Sequence, residues 1–258
     1  MQKYLADVEE WLDRLYVAAE GAGLRQEDRR KACEVAAMLE EVERAVTRFS
    51  RRNSLLLVDA AAGKSYIGLL SAKLVLTACN SSASVVTIER DPQRVEASRT
   101  ATERLDTRIP IDCRQAEVET AEAWPLQPSI ITALHACGSA ADTIIDRTIA
   151  CGARALLLVP CCTSEAVAAS DQACAHAEAV GIPRHAPVRR RFIQAVVDAE
   201  RTWRLEAAGY ETEVVEFVAP TITPHNLLWR ARLVRESRRM AAAKEAWENL
   251  MAVPGKSL

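Results

Sequence analysis

Short apolar runs alternate with amphipathic stretches through the middle of the chain. The first run, 55–59, is continuously apolar up to its final acid, which is typical of a strand buried on both faces of a parallel sheet. Similar runs predict strands at 84–89, 109–114, 130–135 and 153–159, separated by helices at 66–79, 92–105 and 140–150. Strands that alternate with helices predict βαβ units with right-handed crossovers and one parallel sheet.

The two ends of the chain follow different patterns. Residues 2–19 and 26–49 each carry an apolar stripe with the period of a helix, and glycines separate them. After a helix at 189–208, strands at 211–218 and 227–234 flank a turn-rich segment and predict an antiparallel hairpin, with a helix at 236–251 behind it. We therefore predict a doubly wound, mostly parallel α/β domain at 53–235, an N-terminal helical extension at 1–52 and a C-terminal helix and tail at 236–258.

Composition changes this picture little. The 258 residues are 49% hydrophobic and 26% charged, which is ordinary for a globular protein. The formal charge of -2 gives no overall reason to expect polyanion binding, although a local basic face could still bind nucleic acid. The N-terminus lacks a signal-peptide core, and no run reaches the ~18 apolar residues of a membrane span, so we predict a cytoplasmic protein with no membrane partner. The eight cysteines are then expected to be reduced thiols, and the absence of a C-x-x-C pair argues against a zinc ribbon.

The turn after the first predicted strand is built from small residues. It reads V-D-A-A-A-G-K-S-Y from Val58 to Tyr66, so its backbone can approach a ligand at a helix N-terminus. Glu89 ends the second strand, where an acid can accept both hydroxyls of a ribose, and Glu117 can approach an adenine or its ribose. A tight turn without a ligand is the alternative. A phosphate-binding P-loop is rejected because Val58 stands where that motif needs glycine.

The order of these features resembles the S-adenosylmethionine-dependent methyltransferase fold. Two motifs narrow the resemblance: H-A-C-G begins at His135 after the fourth strand, and P-C-C begins at Pro160 after the fifth. With the first turn they resemble a family that reads D-x-G-x-G-K-G, H-A-C-G and P-C-C. That family includes vertebrate methyltransferase-like proteins and the glutathione-transferase-C-terminal-domain-containing protein, and similar segments occur in tRNA 2′-O-methyltransferases that modify the acceptor stem. The resemblance covers about 53–234.

The resemblance implies a seven-stranded methyltransferase sheet that binds S-adenosylmethionine and transfers its methyl group, with RNA or protein favoured over a small molecule as acceptor. The residues that it places around the cofactor are Asp59, Ala61, Gly63, Lys64, Tyr66, Glu89, Arg90, Glu117 and His135. The family has three glycines where this chain has Ala61, Gly63 and Ser65, so a non-catalytic binding module is the alternative. A nicotinamide-dependent oxidoreductase is least favoured, because it would need three glycines and no terminal hairpin.

Histidine and cysteine side chains gather at the ends of the fourth and fifth predicted strands. The resemblance makes these strands neighbours, so it implies that His135, Cys161 and Cys162 lie beside the sulfonium as candidate catalytic residues. His135 can orient a nucleophile or take its proton, since imidazole titrates near neutral pH. Two alternatives stay open: a His/Cys metal site, which lacks ligand-pair spacing so that no metal is predicted, and burial as small hydrophobic residues.

A basic cluster surrounds the start of the helix predicted at 189–208. With two aromatic side chains, its members can hold a phosphate chain and stack a base; they are Arg184, Arg189, Arg190, Arg191, Phe192 and Trp203. A solvated helix start is the interpretation that we favour. Asp198 and Arg201 have the i, i+3 spacing of a simple helical ion pair.

Overall fold

The computed structural model describes residues 2–17, 23–49, 54–79, 82–161, 167, 169–185 and 187–252. The strands are β1 (Ser54–Ala60), β2 (Ser82–Glu89), β3 (Ile111–Gln115), β4 (Ile130–Ala136), β5 (Ala155–Pro160), β6 (Tyr210–Glu216) and β7 (Leu227–Leu233). They form a seven-stranded sheet in the order β3-β2-β1-β4-β5-β7-β6. The first five strands run parallel, whereas β7 is antiparallel to both β5 and β6. The predicted doubly wound, mostly parallel sheet with a terminal antiparallel hairpin is therefore confirmed.

Helices connect and flank the strands. Their bounds are α1 (Leu5–Leu12), α2 (Gln26–Phe49), α3 (Tyr66–Leu70), α4 (Pro92–Arg104), α5 (Ala140–Cys151), α6 (Ser170–Ala179), α7 (Pro187–Ala207) and α8 (Ser237–Met251). The predicted helix at 66–79 is three consecutive segments, because α3 continues as a π-helical turn (Ser71–Val75) and then a 3₁₀ turn (Leu76–Ala78). A π-helical turn (Asp13–Val17) also ends the first helix.

Alternate residues of the central strands enter two separate cores. Leu55 and Leu57 of β1 face a core that includes α1, α2 and α3, while Val58 faces a core built with α5 and α7. Because both faces of β1 are covered, its sequence is a continuous apolar run rather than an alternating one. The carboxyl ends of β1, β2 and β4 consequently meet at one edge of a buried sheet.

The N-terminal helical extension packs directly on this sheet. Val35, Met38 and Leu39 of α2 are buried in the same core as Leu55 and Leu57. The two N-terminal helices therefore cover one face of the sheet. The division of the chain at 52/53 and 235/236 stays a prediction.

Two arginines of α7 have different surroundings from those that the sequence suggested. Arg189 is buried and donates to the carbonyl oxygen of Ile182 at 3.1 Å, so it is no part of an exposed phosphate-binding face. Arg201 is fully buried and pairs with Asp142 of α5 at 2.9 Å, besides Asp198 at 3.6 Å. The predicted i, i+3 pair is thus part of a buried ionic cluster, because Asp142 of α5 also pairs with Arg201.

No helix in the described ranges is long and apolar enough to cross a membrane.

Candidate functional site

Two adjoining cavities open at the carboxyl ends of β1, β2 and β4. Their volumes are about 180 and 320 Å³, and both are lined by Ala61, Arg94 and His135. We call them the smaller and the larger cavity. The smaller one is also bordered by Lys31, Asp59, Gly63, Lys64 and Tyr66, and the larger one by Glu89, Arg90, Glu117, Glu119 and Cys137. All nine residues predicted to surround the cofactor therefore line one cavity or the other, and their roles stay predictions.

The turn after β1 adopts a left-handed backbone at every second residue. The φ angles of Ala61, Gly63 and Ser65 are 50°, 59° and 58°, a region that costs an L-residue other than glycine roughly 1–2 kcal/mol. These are the three positions at which the family that the sequence resembles has glycine. The chain therefore holds the turn in this conformation although two of the three residues disfavour it.

Hydrogen bonds from outside the turn fix its course. The Ala62 amide donates to the carbonyl oxygen of Ile88 at 3.0 Å, and the Tyr16 hydroxyl donates to that of Lys64 at 2.6 Å. The buried Ser65 hydroxyl lies 3.0 Å from the Ser98 hydroxyl of α4. Contacts with β2, α4 and the N-terminal segment thus offset the local strain of the turn.

Glu89 joins the turn after β1 to the end of β2. Its carboxylate accepts the Gly63 amide at 2.7 Å and the Asp91 amide at 2.9 Å, and the residue is only 6% exposed. A carboxylate has about four acceptor positions, so two remain for further donors. The acid lies between the turn and the larger cavity, as an acid that binds ribose hydroxyls would.

Asp59 connects three elements of the fold, besides lining the smaller cavity. Its two oxygens accept the Gly68 amide at 2.8 Å and the Thr132 hydroxyl at 3.2 Å, which ties β1 to α3 and β4. A Cβ atom at Gly68 would lie 2.9 Å from the Thr87 Cγ2 and 3.2 Å from the Asp59 Cβ, so glycine lets α3 approach β1 and β2 this closely. Burial raises the pKa of Asp59 to about 7, despite the lowering effect of its two donors.

His135 is a strained residue in an irregular part of β4. Its φ is 64°, and the pairing of β4 with β5 shifts register between Leu134 and Ala136. Such a bulge turns a side chain away from the direction that strand alternation would give it. The imidazole Nε2 lies 2.9 Å from Oε1 of Glu34, whose Oε2 lies 2.7 Å from the Lys31 ammonium.

Glu34, Lys31 and Arg94 were not among the predicted site residues. Glu34 and Lys31 lie on one face of α2, in phase with the buried Met38, and charged residues within an apolar stripe were the available signal. Burial alone would raise the pKa of Glu34, but hydrogen bonds from His135 and Lys31 outweigh it and hold that pKa below its ordinary value. Glu34 therefore stays ionised beside the imidazole at neutral pH.

The cysteines of the two motifs have unequal positions. The structure joins Cys137 and Cys161 as a disulfide with a Cα–Cα distance of 5.4 Å, because the neighbouring ends of β4 and β5 bring them within bridging range. The expectation of reduced thiols is wrong for this pair. Cys162 lies outside the described residues, so its role stays a prediction. Across the described ranges, no group of three or more His, Cys, Asp or Glu side chains could hold a metal ion.

Comparisons with known proteins agree with this geometry. A family model described as a methyltransferase domain matches residues 30–169. The fold is similar to that of the SAH-bound Podospora anserina methyltransferase PaMTH1 (TM-score 0.51, 13% identity, 91% of this chain and 89% of that chain). It is also similar to magnesium protoporphyrin IX methyltransferase (ChlM) from Synechocystis PCC 6803 with bound SAH (TM-score 0.50, 12% identity, 90% and 96%). A search of curated proteins found no match.

The strained turn predicts that Ala61→Gly stabilises the protein. Glycine removes the cost of the left-handed φ at this position, so we expect the free energy of unfolding to rise by about 0.5–1 kcal/mol. The matched control is Ala62→Gly, because the φ of Ala62 lies outside the left-handed region and glycine there only adds freedom to the unfolded chain. Urea denaturation measures both variants. An Ala61→Gly protein no more stable than the Ala62→Gly protein would contradict the strain.

The raised pKa of Asp59 predicts a pH-dependent stability. Since its folded-state pKa of about 7 exceeds the unfolded value, this carboxyl stabilises the fold below about pH 4, and the contribution is lost as pH rises through 7. Between pH 5 and 8 we expect a loss of about 2–3 kcal/mol that Asp59→Asn abolishes. Denaturation across this range, with the exposed Asp112→Asn as control, checks the slope. Equal slopes for wild type and Asp59→Asn would refute this assignment.

Proposed function

The chain belongs to the methyltransferase-domain family, and we therefore propose that it transfers a methyl group from S-adenosylmethionine to an acceptor. The observation that carries this proposal is the 2.7 Å hydrogen bond from the Gly63 amide to the Glu89 carboxylate. It brings the turn after β1 and the acid of β2 together at the boundary between the two cavities. An adenosine with a charged sulfur needs both of these elements side by side.

The residues present fit such a cofactor. A Cβ atom on Gly63 would have no neighbour within 4 Å, so open space borders the turn on that side. Glu89 keeps acceptor positions for ribose hydroxyls, and the Glu117 carboxylate lies on the rim, 3.8 Å from the Arg90 guanidinium. These features support a ribose near Glu89, a base near Glu117 and the sulfur end towards Tyr66 and His135.

Methyl transfer from a sulfonium requires little covalent chemistry from the protein. A bound sulfonium supplies an already activated methyl group, so alignment of the acceptor contributes most of the acceleration. His135 lines both cavities and is the predicted catalytic residue best placed to meet the acceptor. Cys161 takes part as a thiol only after its bond to Cys137 is reduced, and Cys162 is proposed on the motif alone.

We favour RNA or protein as the acceptor over a small molecule. The support is a basic rim: the exposed Arg94 borders both cavities, the exposed Arg90 borders the larger one and the half-buried Lys64 borders the smaller one. Cations at the entrance suit phosphates or acidic side chains of a macromolecule. A cytoplasmic location without a membrane partner remains a prediction from the sequence.

A non-catalytic module on the same fold is the second candidate. The observation that favours it is the pair of non-glycine residues, Ala61 and Ser65, in left-handed conformations of the cofactor turn. Methyl transfer to any acceptor would reject this candidate.

Calorimetry tests the cofactor. We expect S-adenosylmethionine and S-adenosylhomocysteine to bind, and Glu89→Ala to weaken binding about 10- to 100-fold, because ribose hydroxyls and the Gly63 amide lose their acceptor. The matched control is Glu96→Ala, since Glu96 is exposed on α4 and borders neither cavity. Absence of heat with a folded wild-type protein would remove the cofactor assignment.

Tritium transfer identifies the acceptor. The protein is incubated with methyl-labelled S-adenosylmethionine and a cell extract whose RNA, protein and metabolite fractions are then counted separately. We expect label in the RNA or the protein fraction that Glu89→Ala abolishes. Label confined to metabolites would contradict the preference for a macromolecule, and label in no fraction would favour the non-catalytic module.

A further inference from the structure

A buried carboxylate from the N-terminal helices enters the candidate site. The Glu34 side chain is 7% exposed and spans two partners, with Oε1 2.9 Å from His135 Nε2 and Oε2 2.7 Å from Lys31 Nζ. A charge at this depth is costly unless both oxygens are paired, which fixes the carboxylate in place. Lys31 and His135 both line the smaller cavity, so the pairing occurs at the cavity wall.

This contact decides which ring nitrogen of His135 can accept a proton. A carboxylate oxygen only accepts hydrogen bonds, so Nε2 carries the hydrogen and Nδ1 keeps the lone pair when the ring is neutral. Among the described residues, no hydrogen bond reaches Nδ1. The ring is 21% exposed and lines both cavities. It therefore offers one defined proton acceptor to a molecule bound there.

We propose that Glu34 is a positioning residue that holds His135 as the general base for an acceptor with a dissociable proton, a hydroxyl or an ammonium group. This inference rests on the proposed methyl transfer and specifies its substrate class. The acceptor oxygen or nitrogen forms a bond to the methyl carbon while the carbon–sulfur bond breaks, and that electron pair stays on sulfur. His135 Nδ1 takes the proton of a hydroxyl acceptor as this bond forms, whereas an ammonium acceptor gives its proton to Nδ1 first, because the nitrogen needs its lone pair for the attack. The resulting imidazolium is stabilised by the Glu34 carboxylate and later loses the proton to water.

Backbone strain at His135 supports this role. The left-handed φ of 64° and the register shift of β4 cost free energy, and they direct the ring to Glu34. Strained residues of this kind concentrate at functional sites. A histidine that served only to fill space would not need a bulge and a buried anion to hold one tautomer.

The electrostatic surroundings of His135 contain both signs of charge. Titratable and charged groups that line the cavities with it are Lys31, Asp59, Lys64, Tyr66, Glu89, Arg90, Arg94, Glu117 and Glu119. Glu34 adds a direct hydrogen bond of 2.9 Å to the ring from α2. Removal of Glu34 should therefore change the tautomer of His135 more than removal of any of these other groups.

Histidine NMR tests the positioning without any acceptor. The chain has four histidines, and His135→Asn identifies the signals of His135 because asparagine tolerates the left-handed φ. In the wild type we expect the ¹⁵N shifts of a single Nε2–H tautomer near pH 8. Glu34→Gln should give mixed tautomers, since an amide can accept from Nε2–H or donate to Nε2. An unchanged tautomer in Glu34→Gln would overturn the proposal.

Kinetics test the base. With an acceptor from the labelling assay, Glu34→Gln should lower kcat about 10- to 100-fold while the dissociation constant of S-adenosylmethionine stays within about twofold. The acidic limb of the pH–rate profile should move to lower pH, because the variant lacks the anion that favours imidazolium. Glu34→Asp should recover part of the rate. A reduced kcat with an unmoved profile would indicate a structural role and overturn the proposal.

Glu41→Gln is the matched control. Glu41 lies two turns further along α2, is equally buried and pairs with Arg230 at 2.6 Å, but it borders neither cavity. We expect this variant to lose stability and to keep the wild-type pH profile. If the wild type binds no S-adenosylmethionine, the proposed function fails. The NMR experiment still tests the pairing of Glu34 with His135 in that case. If the wild type transfers methyl groups and Glu34→Gln behaves like Glu41→Gln, only the present inference fails.

Discussion

The hydrogen bonds accepted by Glu89 are the constraint on which the site depends. A buried carboxylate must find donors, and here the amides of Gly63 and Asp91 supply them from the turns that follow β1 and β2. Neither turn can shift without leaving a buried charge unpaired. The strained turn after β1 is therefore held against the end of β2, and the two cavities form on either side of this junction.

The N-terminal helices complete the site from the other direction. They share one hydrophobic core with β1 and β5, so the position of α2 above the strand ends is set by packing rather than by any contact with a ligand. That position brings Lys31 to the cavity wall and Glu34 into contact with His135 and Lys31. Besides its structural role, the extension consequently contributes the carboxylate that pairs with His135.

The sequence predicted the features that depend on local pattern. Strands buried on both faces gave continuous apolar runs, and α2 has its predicted bounds of Gln26–Phe49 because its apolar stripe is long and regular. The nine residues predicted to surround the cofactor could be named because the resemblance and the chain order place them where strands end and helices begin. Lys31, Glu34 and Arg94 could not, since their place follows from the rotation of whole helices against the sheet. The burial of Arg201 likewise depends on Asp142, which is distant in sequence.

Departures from local backbone preference cluster around the cavities. Six described residues other than glycine have a positive φ, and three of them, Ala61, Ser65 and His135, lie in the turn after β1 or at the end of β4. Each is held by a contact from a distant segment: Ala61 through the hydrogen bond of the adjacent Ala62 to Ile88 of β2, Ser65 through Ser98, and His135 through Glu34. Tertiary contacts thus offset local strain in the turn and in the bulge that border the two cavities.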